Sequence, residues 1–333
     1  MSKPIAVLTS DIHYTPSTLD LAQESLHQAL TKAEELKVPL IDMGDILDSK
    51  AIIRAECANA LIDILSRTSV EVILIGGNHT LINSKSMEHS LNFLRPYVTV
   101  VDKVKYNVEL ESYLVPYQDD AAQMQLILDR IPEGSRILTH TGVQTAYMGH
   151  YVQDTSSLPR EAFANYRVIS GHYHRAQDIK CGRPQTGAVG LFSYVGNPYT
   201  LSFSEANDGP KGYQILTEDG ILRMVPTNLR KHIVLERTTD NVLEPVENYN
   251  HGDKVWLKVS GTRLELDKLN RHEIGETLFG QHDFKLDKIC IDTVKGTVLK
   301  GISTDAEILD NLIESTSQEN KPELKALWRR LVS

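Results

Sequence analysis

With 333 residues, 41% of them hydrophobic and 24% charged, the chain lies in the globular range and is long enough for two compact units at ~100–200 residues each. Its 20 glycines, 13 prolines and 3 cysteines exclude collagen-like, low-complexity and disulfide-stapled scaffolds; Cys57, Cys181 and Cys290 lie far apart, form no zinc motif and suit a reducing compartment. Acidic residues outnumber basic ones 44 to 35, a net charge of −9, so contact with a polyanion needs a local basic patch or bound cations.

Residues 3–9 read as a short buried strand, and Leu19, Leu26, Leu30 and Ala33 mark a helix over 19–36. PLIDMG (39–44) is a second strand. A helix over 51–66, the strand EVILIG (71–76) and a helix near 84–94 repeat the cycle, which is the alternation of a layered α/β domain. From 98 onward short strands appear, then a helix over 119–130, the strands RILTH and YRVISGH, and several short β runs between 176 and 225. PTNLRKH (226–232) interrupts this pattern, after which 233–300 reads strand, strand, helix (264–278), strand. The tail carries Ile308, Leu309, Leu312 and Ile313, then Leu324, Leu327, Trp328 and Leu331, on two amphipathic helices split by SQENKP. The first apolar run, about six residues, is too short for a secretion signal or a membrane span of ~20 residues, so a cytoplasmic location without membrane contact is expected.

Five apolar strands end in side chains able to bind metal: Asp11 and His13, Asp45, Asn78 and His79, His140, and His172 and His174. In layered α/β folds the loops at the carboxyl ends of strands gather at one edge. One Asp or His after a strand is ordinary turn chemistry, whereas five in order, spaced Asp-x-His, Gly-Asp, Gly-Asn-His and Gly-His-x-His, are hard to obtain that way. Residues two apart in an extended segment project to one side, which lets His172 and His174, and likewise Asp11 and His13, face one cluster. Carboxylate, imidazole and amide oxygen without thiolate suit Mn, Fe or Zn. There are too many donors for one ion; Asp45 shared between two ions ~3.5–4 Å apart gives each a reasonable shell.

The ordered set DIH (11–13), GDILD (44–48), GNH (77–79), TH (139–140) and GHYH (171–174) resembles the calcineurin-like metallophosphoesterase superfamily over residues 3–225. Within it, YVGNPYTLSFSEANDGPKGYQIL (194–216) is similar to the segment after GHxH in the SbcD nucleases and their counterparts, the meiotic recombination eleven family. The compact length favours the phage members, whose location would be the host cytoplasm. This resemblance implies a four-layered α/β/β/α nuclease domain over 1–228, a small α+β DNA-binding capping domain over 229–302, and a helical hairpin over 303–333; periodicity alone shows layered α/β with added strands. It implies Asp11, His13, Asp45 and His174 on one divalent ion and Asp45, Asn78, His140 and His172 on another, with Mn²⁺ placed ahead of Mg²⁺, Fe²⁺ and Zn²⁺. His79 is the implied catalytic histidine beside the scissile phosphate.

Asp48 is a second catalytic candidate, with capping of the helix from about 51 as its equal alternative. Tyr14, Arg160 and Arg175 are candidate DNA contacts. Leu324, Leu327, Trp328 and Leu331 form the surface implied to dock on an SMC-like ATPase of the SbcC type, and a homodimer is implied through 51–66 and 84–94. The implied function is a two-metal DNA nuclease, exonuclease on duplex ends and endonuclease on single strands, in an SbcCD-like repair and recombination complex. Two alternatives stand beside it: a small-molecule phosphatase or cyclic-nucleotide phosphodiesterase, and a catalytically weak scaffold at DNA ends. Two positions depart from the family pattern: Thr80 stands where Asp usually follows Gly-Asn-His, which removes or replaces a hydrogen bond orienting Asn78 or His79, and DIHYTPS replaces DxHLG.

Overall fold

The computed structural model describes residues 2–50, 52–83, 88–149, 152–183, 187–247, 249–250, 252–280 and 283–291. In chain order these form β1 (Pro4–Thr9), α1 (Leu19–Leu36), β2 (Leu40–Asp42), α2 (Ala55–Leu65), β3 (Val72–Ile75), β4 (Leu81–Asn83), β5 (Glu88–His89), β6 (Thr99–Val101), β7 (Lys105–Asn107), β8 (Ser112–Val115), α3 (Ala121–Leu128), β9 (Arg136–His140), β10 (Arg167–Gly171), β11 (Gln177–Arg183), β12 (Ala188–Tyr194), β13 (Gly212–Thr217) and β14 (Leu222–Pro226). A further unit follows, with β15 (His232–Thr238), β16 (Lys254–Gly261), α4 (Arg263–Asp267), α5 (Arg271–Phe279) and β17 (Lys285–Cys290). No helix among the described residues is long and apolar enough to cross a membrane.

Two six-stranded sheets, ordered β14-β13-β1-β2-β3-β6 and β11-β12-β10-β9-β8-β7, stack face to face. Side chains alternate across a strand, and that alternation sorts the layers. On the first sheet Ala6, Leu8, Ile41, Ile73 and Ile75 meet Leu114, Leu138 and Ile169 of the second, which makes the central core. The intervening Val7, Leu40, Val72 and Leu74 turn outward onto Leu26, Leu30, Leu61 and Leu65 of α1 and α2. Val115, Ile137, Val168 and Phe192 turn the other way, onto Met124 and Leu128 of α3 and onto Phe163. The fold is therefore a four-layered α/β/β/α sandwich. Strands buried on both faces read as continuous apolar runs, which is why the parallel pairs β1–β2, β2–β3, β8–β9 and β9–β10 carry no polar alternation.

Several elements differ from expectation in extent. The helix expected near 84–94 is a 3-10 turn over Ser90–Leu94 preceded by β5; residues 84–87 lie outside the described residues. Leu91 and Leu94 lie three residues apart, and a single turn is enough to bury both. The helix expected over 264–278 is broken into α4 and α5, because the Asn270 side chain accepts from the backbone N–H of His272 and Glu273 and so starts a new helix.

In the last unit β15, β16 and β17 are parallel, and Val255, Leu257 and Val259 of β16 pack inward on Leu266, Ile274 and Phe279. This unit meets the sandwich through Phe203, whose ring lies 4.9 Å from His232 and 5.7 Å from Trp256. The expected tail surface of Leu324, Leu327, Trp328 and Leu331 lies outside the described residues.

Candidate metal centre

The parallel strands β1, β2, β3, β9 and β10 bring their carboxyl ends to one edge, where loops from the two sheets interlock. Asp11 N–H donates to Gly44 O at 2.9 Å, His13 N–H to Asp45 O at 3.0 Å, and His172 N–H to the Asp11 carboxylate at 3.1 Å. Positive φ values at Asp11 (52°), His13 (51°), Asp45 (57°) and His172 (93°) turn four candidate ligands into the left-handed region, a conformation costing ~1–3 kcal/mol each and kept only where the surroundings enforce it. Gly77 leaves no alternative to close approach: a Cβ there would lie 2.2 Å from Asp45 Oδ1.

Three donor groups result, one of them, His13 with Asp48 and His79, sharing its His13 with the group around Asp11. Asp11, His13 and His174 converge in the first. In the second, Asp45, His140 and His172 converge around Asn78, whose Oδ1 lies 2.9 Å from His140 Nε2 and 2.8 Å from His172 Nδ1. Three imidazoles are oriented alike, each held through Nδ1 by an oxygen so that Nε2 is left for the centre. His13 is held by the Asp48 carboxylate at 3.1 Å, His140 by Met43 O at 2.9 Å and His174 by the Glu205 carboxylate at 2.7 Å. This backing arrangement fixes the tautomer and raises the basicity of a metal-ligating histidine.

The first group also passes a test of fit to a cation. Asp11 Oδ1 and His13 Nε2 are buried and have no hydrogen-bond partner. Asp11 Oδ1 lies 4.0 Å from both His13 Nε2 and His174 Nε2. That is too far for a hydrogen bond and within the span of two donors each ~2.0–2.2 Å from one ion. The donor set fits divalent cations.

Electrostatics bind the second group in the absence of a cation. Burial alone would lower the His140 pKa, but the Asp45 carboxylate 3.1 Å away outweighs it and lifts the imidazole to about 9. Burial acts against the Asp45 charge as well, and the His140 charge wins, holding that carboxyl well below its usual range. His172 is pushed down to about 4 by burial and by the neighbouring His140 charge.

His79 stands beside both groups. Its Nδ1–H donates to the main-chain carbonyl of Asp48 at 2.7 Å, its backbone N–H donates to Asp45 Oδ1 at 2.8 Å, and its ring meets that of His13 edge-on at 4.8 Å. Asp48 thus orients two histidines, His13 with its carboxylate and His79 with its carbonyl. It does not cap α2, which begins at Ala55 after Arg54 with no side-chain cap. Thr80 is buried and occupied locally: its hydroxyl lies 3.0 Å from Gly77 O, 3.1 Å from Gly77 N and 3.2 Å from His89 Nδ1, which ties down the loop carrying Asn78 and His79.

The DNA-contact candidates divide. Tyr14 is corrected: at 3% exposure it belongs to the helix-side core, because its N–H donates to Ile46 O at 2.8 Å and draws the chain back under the sheet edge. Arg160 sits in the outer helical layer, paired with Glu161 at 3.2 Å. Arg175 follows His174 directly and lies over the Tyr147 ring.

Glu205 and Lys211 are candidate site residues that the motifs do not reveal. Besides His174, the Glu205 carboxylate accepts from Asn197 Nδ2 at 3.0 Å and Leu201 N at 3.1 Å, and the buried Lys211 ammonium lies 3.2 Å away. Burial would raise the Glu205 pKa; His174 and Lys211 override it and hold the carboxyl at about 2. Glu205 is 31 and Lys211 37 residues from His174 along the chain, so no local spacing reveals them; only the likeness of 194–216 marks the segment. Glu205→Ala is expected to weaken Mn²⁺ binding about 10- to 100-fold in calorimetric titration, with Glu205→Gln intermediate; unchanged affinity in the alanine variant would remove Glu205 from the centre.

No protein-family model matches the chain, and no curated protein matches it. Among solved structures it is similar to one described as a novel archaeal phosphodiesterase, at 13% identity over 66% of this chain and 98% of that one, with a TM-score of 0.34.

Proposed function

We propose that the chain is a two-metal phosphodiesterase whose substrate is DNA, the nuclease subunit of an SbcCD-like assembly. One observation carries this reading: two carboxylate–imidazole groups, Asp11 with His13 and His174 and Asp45 with His140 and His172, lie at one sheet edge, tied by the His13 N–H to Asp45 O bond, with a further histidine, His79, oriented beside them. Two divalent cations held by these groups supply Lewis acidity and lower the pKa of a water.

The chain's own residues do the rest. Asp48 O keeps the proton of His79 on Nδ1, so Nε2 is the atom turned to substrate; in its protonated form it donates to the departing oxygen of the ester. Glu205, Asp48 and Met43 O hold the imidazoles in the tautomer that leaves Nε2 free. Positive charge at the centre also gives an acidic chain its means of meeting a polyanion. An SMC-like ATPase partner and a homodimer belong to the same proposal.

The test is cleavage of an end-labelled linear DNA duplex in Mn²⁺, in Mg²⁺ and in EDTA, with a chromogenic phosphodiester alongside. Degradation of DNA in Mn²⁺ that EDTA abolishes is expected. Turnover of the small ester with intact DNA, the ATPase subunit included, would assign a small-molecule phosphatase instead, and no turnover of either would leave a scaffold.

A further inference from the structure

Between β9 and β10 the chain forms a flap that none of the steps above uses. Its arms pair through Thr145 N to Asp154 O, Asp154 N to Ala146 O and Met148 N to Val152 O, each at 2.8 Å. Two anchors fix it to the segment bearing His172 and His174. At the base, the Tyr173 hydroxyl donates to Asp154 at 2.7 Å. Higher up, the Gln177 amide holds the Tyr147 backbone in both directions, accepting from its N–H and donating to its carbonyl, each at 2.9 Å. Three side-chain hydrogen bonds thus tie the flap to the segment that carries His172 and His174.

What the flap presents is aromatic, apolar and cationic. Tyr147 is 37% exposed, Met148 49% and Val152 58%, and the Arg175 guanidinium lies 5.3 Å from the centroid of the Tyr147 ring. No carboxylate pairs with Arg175 among the described residues. A guanidinium stacked on a ring keeps its in-plane N–H donors free for phosphate, and an exposed ring offers a face to any base. In a chain of net charge −9, an arginine with no carboxylate partner among the described residues, directly after His174 in the chain, is a local cation of the kind a strand's backbone requires.

We propose that Tyr147 and Arg175 form a stacking subsite for an unpaired nucleotide of the strand whose phosphate enters the centre, with Tyr147 stacking on the base and Arg175 meeting an adjoining phosphate. This rests on the nucleic-acid reading above. The occupant is a nucleotide rather than a protein segment because the cation adjoins His174 and the apolar area amounts to a few side chains.

Fluorescence anisotropy of a labelled oligothymidylate, and of the same strand with abasic positions, measured in EDTA and again in Ca²⁺, tests the subsite. The wild type is expected to bind the base-bearing strand at least about fivefold more tightly, Tyr147→Ala to erase that preference and Tyr147→Trp to restore it. Arg175→Ala is expected to weaken both strands. A preference that survives in Tyr147→Ala, or is absent in a wild type that cleaves DNA, overturns the subsite alone. A wild type that turns over the chromogenic diester and binds neither strand overturns the nucleic-acid reading together with the subsite.

Discussion

Alanine in place of His79 is expected to cut phosphodiester turnover about 100- to 10,000-fold while leaving Mn²⁺ stoichiometry unchanged. The ring is held by its Nδ1–H on Asp48 O at 2.7 Å and by its edge-on contact with His13 at 4.8 Å, so the Nε2 direction is set before substrate arrives. Removing the ring removes a proton donor and leaves Asp11, His13, Asp45, Asn78, His140, His172 and His174 in place. The competing role is specific: His79 also lies close enough to His13 and Asp48 to form a third donor group. Calorimetric titration separates the two roles. A variant with normal turnover refutes the catalytic role, and one that binds fewer ions makes His79 a ligand.

Asp45→Asn is expected to lose tight metal binding, lower turnover about 1,000-fold and flatten the pH dependence of the metal-free protein's stability. The first two effects follow from its position, buried and linking His140 on one side to the His79 backbone on the other. The third follows from linkage. His140 in the fold sits at about 9, above the ~6.5 of an unfolded histidine, so its contribution is complete below pH ~6.5 and is lost as pH rises through about 9. Asp45 is displaced downward, so its contribution is present above ~3.9 and is lost as pH falls. Above pH ~6.5 the chelated wild type is therefore expected to lose Tm toward pH 9, whereas below ~6.5 His172, held at about 4, adds a dependence of the opposite sign. Because the Asp45 charge is what lifts His140, the variant's decline between pH ~6.5 and 9 should be shallower, the remainder coming from His174, which Glu205 lifts against burial. A variant Tm that declines as steeply as the wild type's, in thermal melts with EDTA, would show that another group lifts His140.

Much of the candidate centre was legible because each donor sits just past an apolar strand, and strand polarity sends parallel carboxyl ends to one edge. α1 was readable end to end, since Ala22, Leu26, Ala29, Leu30 and Ala33 all lie on its buried stripe. The misread helix near 84–94 had the right apolar spacing and too little length for that spacing to discriminate. Tyr14 was misassigned because its neighbours in the chain are site residues, while its own side chain answers to the parallel bridge with Leu47.

Taken alone, the sequence determined the layered α/β class, the strand exits and the chemical types gathered there, because hydrophobic periodicity and residue identity are local properties. The tertiary structure decided which imidazole nitrogen faces the centre, that Glu205 and Lys211 stand behind His174, that Asp48 serves two histidines, and that Tyr147 meets Arg175. Each of those is a contact across two elements far apart in the chain, set by how the two sheets stack and how their edge loops interlock, and no single segment carries it.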